Sequence, residues 1–299
     1  MLAIPGDETM EREPLTTWEA IENAYRTDFR EPNVRWLFRG QRESPEPDEK
    51  SRQLRPSLER VLEDRFQRPL AEAPVIEKRL LREFKRHLHR YTTDVPDEDD
   101  NLRWLALMQH HGAPTRLLDF TYSFLVAVFF AIERAKHNDR CAVWAIDHNW
   151  LWLAVRESLP PDLVSSLDDA RQSKTPETMR ALFATPKDIL VTLNPMNLDE
   201  RLAVQQGVFV CSLDLTKRFA DVARGLARSE EEYDAHVRRV EIRCSAELLR
   251  EAIRELQRMN ITRLSLFPGI DGLAQSLENA IELSTLSRYG DTDSQVLDG

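Results

Sequence analysis

The chain has 299 residues, of which 41% are hydrophobic and 31% charged, with only 9 glycines. These proportions exclude a disordered or collagen-like chain and suit a helix-rich globular protein of one or two domains. A formal charge of -10 argues against a chain devoted to nucleic-acid binding, while leaving room for a local basic face.

Cys141, Cys211 and Cys244 are odd in number, far apart and set in apolar runs, so buried thiols are expected rather than a disulfide framework or a metal site. The first residues, MLAIPGDETMEREP, lack a basic stretch followed by a long apolar run. No segment approaches the ~18 apolar residues of a membrane span. A cytoplasmic location without membrane contact is the expectation.

In chain order, Thr17 is placed to cap a short amphipathic helix that ends before Pro32. RWLFRGQ, Arg35 to Gln41, has the composition of a strand, and ESPEPDEKSRQ that of a loop. From Ser57 the pattern is helical, broken near Pro69 and Pro74 and resuming as VIEKRLLREFKRHLHRY. There Leu80, Leu81, Phe84 and Leu88 share one face, while the other carries Lys78, Arg79, Arg82, Lys85, Arg86, His89 and Arg90. Such a charge run is ordinarily a solvated surface, and its functional alternative is phosphate or partner binding.

VPDEDDN is an acidic turn, after which Asp100 or Asn101 caps a helix bearing Leu102, Leu105 and Met108. Ser123 caps FLVAVFFAIERAK, which is apolar around most of its circumference and so is expected at the centre of the fold. CAVWAID, Cys141 to Asp147, is a buried strand. A helical middle runs from about Trp150 to Ala184. DILVTL is a strand, and the alternation of Leu202, Val204 and Val208 predicts strands that meet at Gly207. HVRRVEIRC is another strand, Ser245 caps AELLREAIRELQRMN, ITRLSLF is a final strand, and PGIDGLAQSLENAIE opens a last helix. Asp291, Asp293 and Asp298 mark a loose acidic tail over 291–299. Strands and helices intermingle without a repeat or a clear linker, so the expected fold is α+β, a single mixed or antiparallel sheet flanked by helices, with helical insertions, in one domain over residues 1–290.

The segment QHHGAPTRLLDFT, Gln109 to Thr121, places many hydrogen-bonding groups in a short connection before the apolar helix. An unpaired buried donor or acceptor costs ~1–3 kcal/mol, so these groups either satisfy one another or are completed by a ligand. Arg116 offers a planar fork for carboxylate or phosphate, and Asp119 is in range to pair with Arg116 or Arg39. His110 and His111 are consecutive and therefore diverge, which disfavours joint metal ligation and leaves catalysis by one histidine or a structural role in the turn.

WLFRGQ at 36–41, LRPSLER at 54–60, WLALMQHHGAPTRLLDFTYSFLVAVFFA at 104–131, RLAVQQGVF at 201–209 and LFPGIDGLAQSL at 266–277 resemble successive signatures of the FRG domain family, from about Trp18 to Leu277. That resemblance implies a bacterial protein of the kind encoded near mobile elements and phage-defence genes, a toxin or defence component, without a settled reaction. A second similarity is to ADP-ribosyltransferases, whose order of parts is an Arg at an early strand, a Ser/Thr segment before an apolar helix, and a third motif near a Gly. It aligns Arg39 with the Arg, Thr121-Tyr122-Ser123 with the Ser/Thr motif, and Glu200 to Gly207 with the third element.

The second resemblance implies an ADP-ribosyltransferase-like fold that takes NAD and cleaves its nicotinamide–ribose bond, with a nucleic acid or protein as acceptor. In that scheme Arg39 and Arg116 hold phosphate, Gln109 and Tyr122 line the cofactor, with Phe120 or Trp36 as alternative aromatic walls. Thr121 and Ser123 orient ribose or amide, Gln206 bonds the acceptor, His110 is an acid/base candidate, and Asp119 stabilises the developing cation. The family's catalytic Glu position falls near Arg201, so Asp119, Glu200 or Asp271 must replace it for chemistry to occur. The alternatives are a non-catalytic sensing or interaction module, and a metal-independent nuclease acting through His110 or His111.

Overall fold

The computed structural model describes residues 13–43, 53–169, 175–194 and 200–284. Six strands, β1 (Trp36–Glu43), β2 (Leu118–Thr121), β3 (Arg140–Asp147), β4 (Leu190–Leu193), β5 (Gly207–Ser212) and β6 (Val237–Arg243), form one sheet in the order β4-β5-β2-β1-β3-β6. Every pairing between them is antiparallel, so of the mixed and antiparallel sheets expected it is the antiparallel one.

The helices are α1 (Trp18–Asp28), α2 (Ser57–Arg60), α3 (Ala73–Leu88), α4 (Asn101–His110), α5 (Phe124–Ile132), α6 (His148–Ser158), α7 (Pro161–Asp168), α8 (Pro176–Phe183), α9 (Glu200–Val204), α10 (Phe219–Gly225), α11 (Glu230–His236), α12 (Ala246–Arg258), α13 (Arg263–Leu266) and α14 (Ile270–Ser284). Caps fall where the sequence puts small polar residues. The side chains of Thr17, Asp100, Ser123 and Ser245 accept backbone hydrogen bonds from the first turns of α1, α4, α5 and α12. Pro74 does not break α3; it lies in the first turn, where its missing N–H is harmless.

Period 2 in the sheet assigns side chains to opposite faces. Leu37, Leu118, Phe120, Trp144, Ile146, Val208 and Val210 pack on one side with Trp150 of α6 and with Phe219 and Val222 of α10. The other side is covered in two parts. α1, α5 and α12 cover β1, β3 and β6, whereas residues of α4, α6 and α8 pack over β4 and β5. α5 is nearly all buried, as its composition demands. It lies so close on β1 that a Cβ at Gly40 would come within 2.0 Å of the Ala127 carbonyl oxygen.

Three expectations are corrected. ITRLSLF is not a strand. Thr262 and Ser265 form a reciprocal capping box, and the segment makes the short helix α13. The stretch Glu200–Val204 is also a helix, α9, so no two strands meet at Gly207. Its alternation misled because Leu202 alone turns inward beneath Gly207 while Val204 is exposed. The reversal is made by Gln206 at φ 49°, and a Cβ on Gly207 would strike the Leu202 side chain. Finally, Leu118–Thr121, read as part of a connection between helices, is the central strand β2. The expected acidic tail at Asp291, Asp293 and Asp298, and nearly all of the ESPEPDEKSRQ loop, lie outside the described residues.

Candidate functional site

β1 pairs with β3 from Trp36 opposite Asp147 to Glu43 opposite Arg140, but with β2 only at Phe38 opposite Thr121. Beyond that pair the ladder stops. Arg39 Nη1 then donates to the Asp119 carbonyl at 2.7 Å, a side chain satisfying an acceptor that a neighbouring strand ordinarily would. Its Nη1 is also 3.9 Å from the Asp119 carboxylate, with the Arg39 side chain 23% and the Asp119 side chain 52% exposed. Burial draws the Arg39 guanidinium below its usual pKa, Asp119 opposes this, and Arg60 adds to it. A guanidinium remains charged regardless. No hydrogen bond among the described residues uses Arg39 Nε or Nη2.

Gln109, at the end of α4, orients the acid. Its Nε2 donates to Asp119 Oδ2 at 2.9 Å and to the Leu117 carbonyl at 3.3 Å, and its Oε1 accepts from the Thr115 hydroxyl. Around this pair lies a hollow of about 40 Å3 lined by Ala106, Gln109, His110, Asp119, Leu202, Gln205 and Phe209. That is room for roughly one water, so a larger guest must lie across the mouth. The rings of His110 and His111 do not diverge as expected. α4 ends between them, and their centroids are 4.9 Å apart, edge to face. No His/Cys/Asp/Glu group among the described residues is arranged for a metal ion.

Arg116 is elsewhere and otherwise engaged. Its Nε donates to both Glu77 oxygens, at 2.9 and 3.0 Å, and its Nη2 also bonds Glu77, with both side chains buried. Burial works against its charge, but the bonds and charge of Glu77 outweigh it and raise its pKa. The guanidinium also lies 4.9 Å from the Phe183 ring centroid, and Nη1 has no hydrogen-bond partner among the described residues. Neighbouring Thr115 ties this turn to α2. Its N–H donates to Ser57 Oγ at 3.0 Å, and its carbonyl accepts from Leu58 N–H at 3.1 Å.

The remaining candidates belong to the end of β2. The Thr121 hydroxyl is buried and donates to the Gln205 carbonyl at 2.7 Å, while accepting from Ser123 N–H. Ser123 Oγ caps α5. The Gln206 carbonyl accepts from Tyr122 N–H at 3.1 Å. Tyr122 carries the Arg35 guanidinium 4.3 Å from its ring centroid, and its hydroxyl meets Asn194 Nδ2 at 3.4 Å.

The fold therefore gathers Arg39, Gln109, His110 and Asp119 at one place. It puts Thr121, Ser123 and Gln206 into the β2–α5 and α9–β5 turns, and Arg116 into a buried pair. Asp199 and the side chain of Glu200 lie outside the described residues. Sequence reasoning missed Glu77 as the partner of Arg116, although an acid on the apolar side of a helix whose other face is mainly basic was a usable signal. It also missed Gln205, which donates to the Leu266 carbonyl at 2.8 Å.

No curated protein and no solved structure matches the chain. The family model of the FRG domain matches residues 34–140, a segment that holds β1, β2 and the helices between them. The RLAVQQGVF and LFPGIDGLAQSL runs fall after it. Arg39, Gln109, His110, Arg116, Asp119 and Thr121 to Ser123 all lie within that match, and on it the chain carries an FRG domain.

Proposed function

We propose that this FRG-domain protein binds a nucleotide, NAD being the candidate, across the mouth of the hollow at Asp119 and onto the neighbouring Arg39, and acts on it in the manner of an ADP-ribosyltransferase or NAD glycohydrolase. The observation that supports this reading is the half-buried Arg39, whose Nε and Nη2 make no hydrogen bond among the described residues, beside a carboxylate that is exposed and oriented by Gln109. A guanidinium fork suits a pyrophosphate. A fixed carboxylate stabilises the positive charge that develops when the nicotinamide–ribose bond breaks. His110, exposed at the rim, is the neighbouring imidazole. The exposed basic side chains Lys78, Arg79, Arg82 and Arg86 of α3, with His89 and Arg90 just after it, offer a surface for an anionic acceptor, nucleic acid or protein.

A second reading, a non-catalytic sensing or interaction module, is favoured by a specific observation. Gln109, Thr115, Arg116, Thr121 and Ser123 are all engaged within the protein. Incubation of the purified protein with NAD, followed by calorimetry and chromatographic detection of nicotinamide, separates the two. The enzymatic reading expects nicotinamide release that drops at least ~100-fold in Asp119→Asn, and NAD binding weakened ~10-fold or more in Arg39→Lys. Binding without release selects the module, and neither binding nor release from a folded sample removes the nucleotide reading.

A further inference from the structure

β4 is an edge strand, and α6 packs against it. Between β4 and the helices α6, α7 and α8 there is a cavity of about 270 Å3. Its walls include Leu151, Val155, Met179 and Leu182, all buried. Its polar edge is formed by His148, Asp168, Thr192 and Asn194. None of these residues lines the hollow at Asp119.

Protein interiors are close-packed, with few voids larger than a water. An apolar cavity of ~150 Å3 already holds benzene, so this one has room for a ring system larger than a single benzene. Its chemistry is two-sided. The apolar walls suit the faces of a flat ring, and the polar edge is rich in acceptors. Among the described residues no hydrogen bond uses the Asp168 carboxylate, the Thr192 hydroxyl or Asn194 Oδ1, and Asn194 Nδ2 is directed to the Tyr122 hydroxyl. An acceptor-rich edge calls for N–H donors on the guest.

We propose that this cavity is a binding site for a planar heteroaromatic molecule bearing an exocyclic amino or carboxamide group, of nucleobase size. The ring stacks between the aliphatic side chains of α6 and α8, and the amino or amide N–H groups donate to Asp168, Thr192 and Asn194. The site is independent of the nucleotide reading at Arg39. A free base lacks the phosphates that Arg39 would hold, and substitutions confined to the cavity separate binding there from binding at the Asp119 hollow.

The test is saturation-transfer NMR on the full chain with adenine, nicotinamide and toluene as probes, with thermal unfolding recorded for every variant. Adenine or nicotinamide is expected to bind the wild-type and Arg39→Lys chains equally. Affinity for it is expected to fall at least tenfold in Val155→Phe, which fills the cavity. The nearly isosteric Thr192→Val combined with Asn194→Leu keeps the test decisive should Val155→Phe fail to fold, and is expected to lose the amino or amide probe without losing toluene. Absence of transfer to every probe in the folded protein overturns the proposal. So does toluene binding alone, or binding of adenine or nicotinamide that all these variants leave unchanged.

Discussion

Arg39 and Arg116 are the same residue type, lie in the same FRG segment, and do opposite things. What separates them is the partner each finds. Arg116 is closed on Glu77 by three hydrogen bonds with both side chains buried, so the Nε and Nη2 side of its fork is taken by a carboxylate of the protein itself. Among the described residues Arg39 uses one donor, on the Asp119 carbonyl. This assigns Arg116 to stability. Removing one member of a buried ion pair leaves the other uncompensated, at a cost of ~3–5 kcal/mol. Glu77→Ala is expected to lower unfolding free energy by about that amount in urea denaturation, whereas Glu77→Leu with Arg116→Met recovers most of it. A Glu77→Ala protein as stable as the wild type would show that the pair does not hold the fold. Cys211 lies close enough to Arg116 and Glu77 to feel both charges, and burial pushes its thiol up to about 12. Cys141 and Cys244 bring their sulfurs to 3.6 Å as free thiols. The buried thiols expected from apolar flanks are what the fold contains.

At the scale of elements, the junction of α5 with β1 positions the candidate site. α5 reaches the sheet backbone because Gly40 has no side chain. A methyl there meets the Ala127 oxygen at 2.0 Å and the Ala131 nitrogen at 2.5 Å, both backbone atoms of a fully packed helix. Neither can rotate away. Gly40→Ala is therefore expected to destabilise by the upper end of the ~1–3 kcal/mol typical of overpacking, or more, with weakened ligand binding because β1 carries Arg39. Chemical denaturation checks the first effect. An unchanged midpoint would mean that α5 does not press on β1. Element boundaries marked by caps were readable locally, since Thr17, Asp100, Ser123 and Ser245 each bond a backbone N–H that only the start of a helix leaves free. Period was a poorer guide in short pieces. ITRLSLF and ERLAV each fit an alternating pattern over a few residues, and in each the inward-turning leucine belongs to a single helical turn.

For the molecule as a whole, the sheet has helices on both faces, and α6 packs against its edge strand β4. This arrangement half-buries His148 at the start of α6. Burial, reinforced by Arg35 and opposed by Asp147 and Asn149, holds the imidazole below its ordinary value. The unfolded chain then binds the proton more readily than the folded one. The corresponding stability is complete above the unfolded value of about 6.5 and is lost as pH falls through the lower folded value. Unfolding free energy measured between pH 8 and pH 5 is expected to decline on the acid side, and His148→Gln is expected to flatten part of that decline. An identical profile in the variant would assign the acid sensitivity to other groups.

The sequence by itself determined the α+β class, the apolar central helix, most helix starts and the FRG signature between WLFRGQ and the end of α5. Those features rest on composition, capping chemistry and a long contiguous motif, all local properties of the chain. It also singled out Arg39, Gln109, His110, Arg116, Asp119, Thr121, Tyr122, Ser123 and Gln206 as candidate site residues. Tertiary structure decided which polar groups remain available, because hydrogen-bond partners such as Glu77 for Arg116 and the Gln205 carbonyl for Thr121 lie 39 and 84 positions away. It also decided that β1 and β2 share a single pair, and that a cavity of about 270 Å3 opens beside β4. Both depend on how distant segments pack, and no window of sequence contains that information.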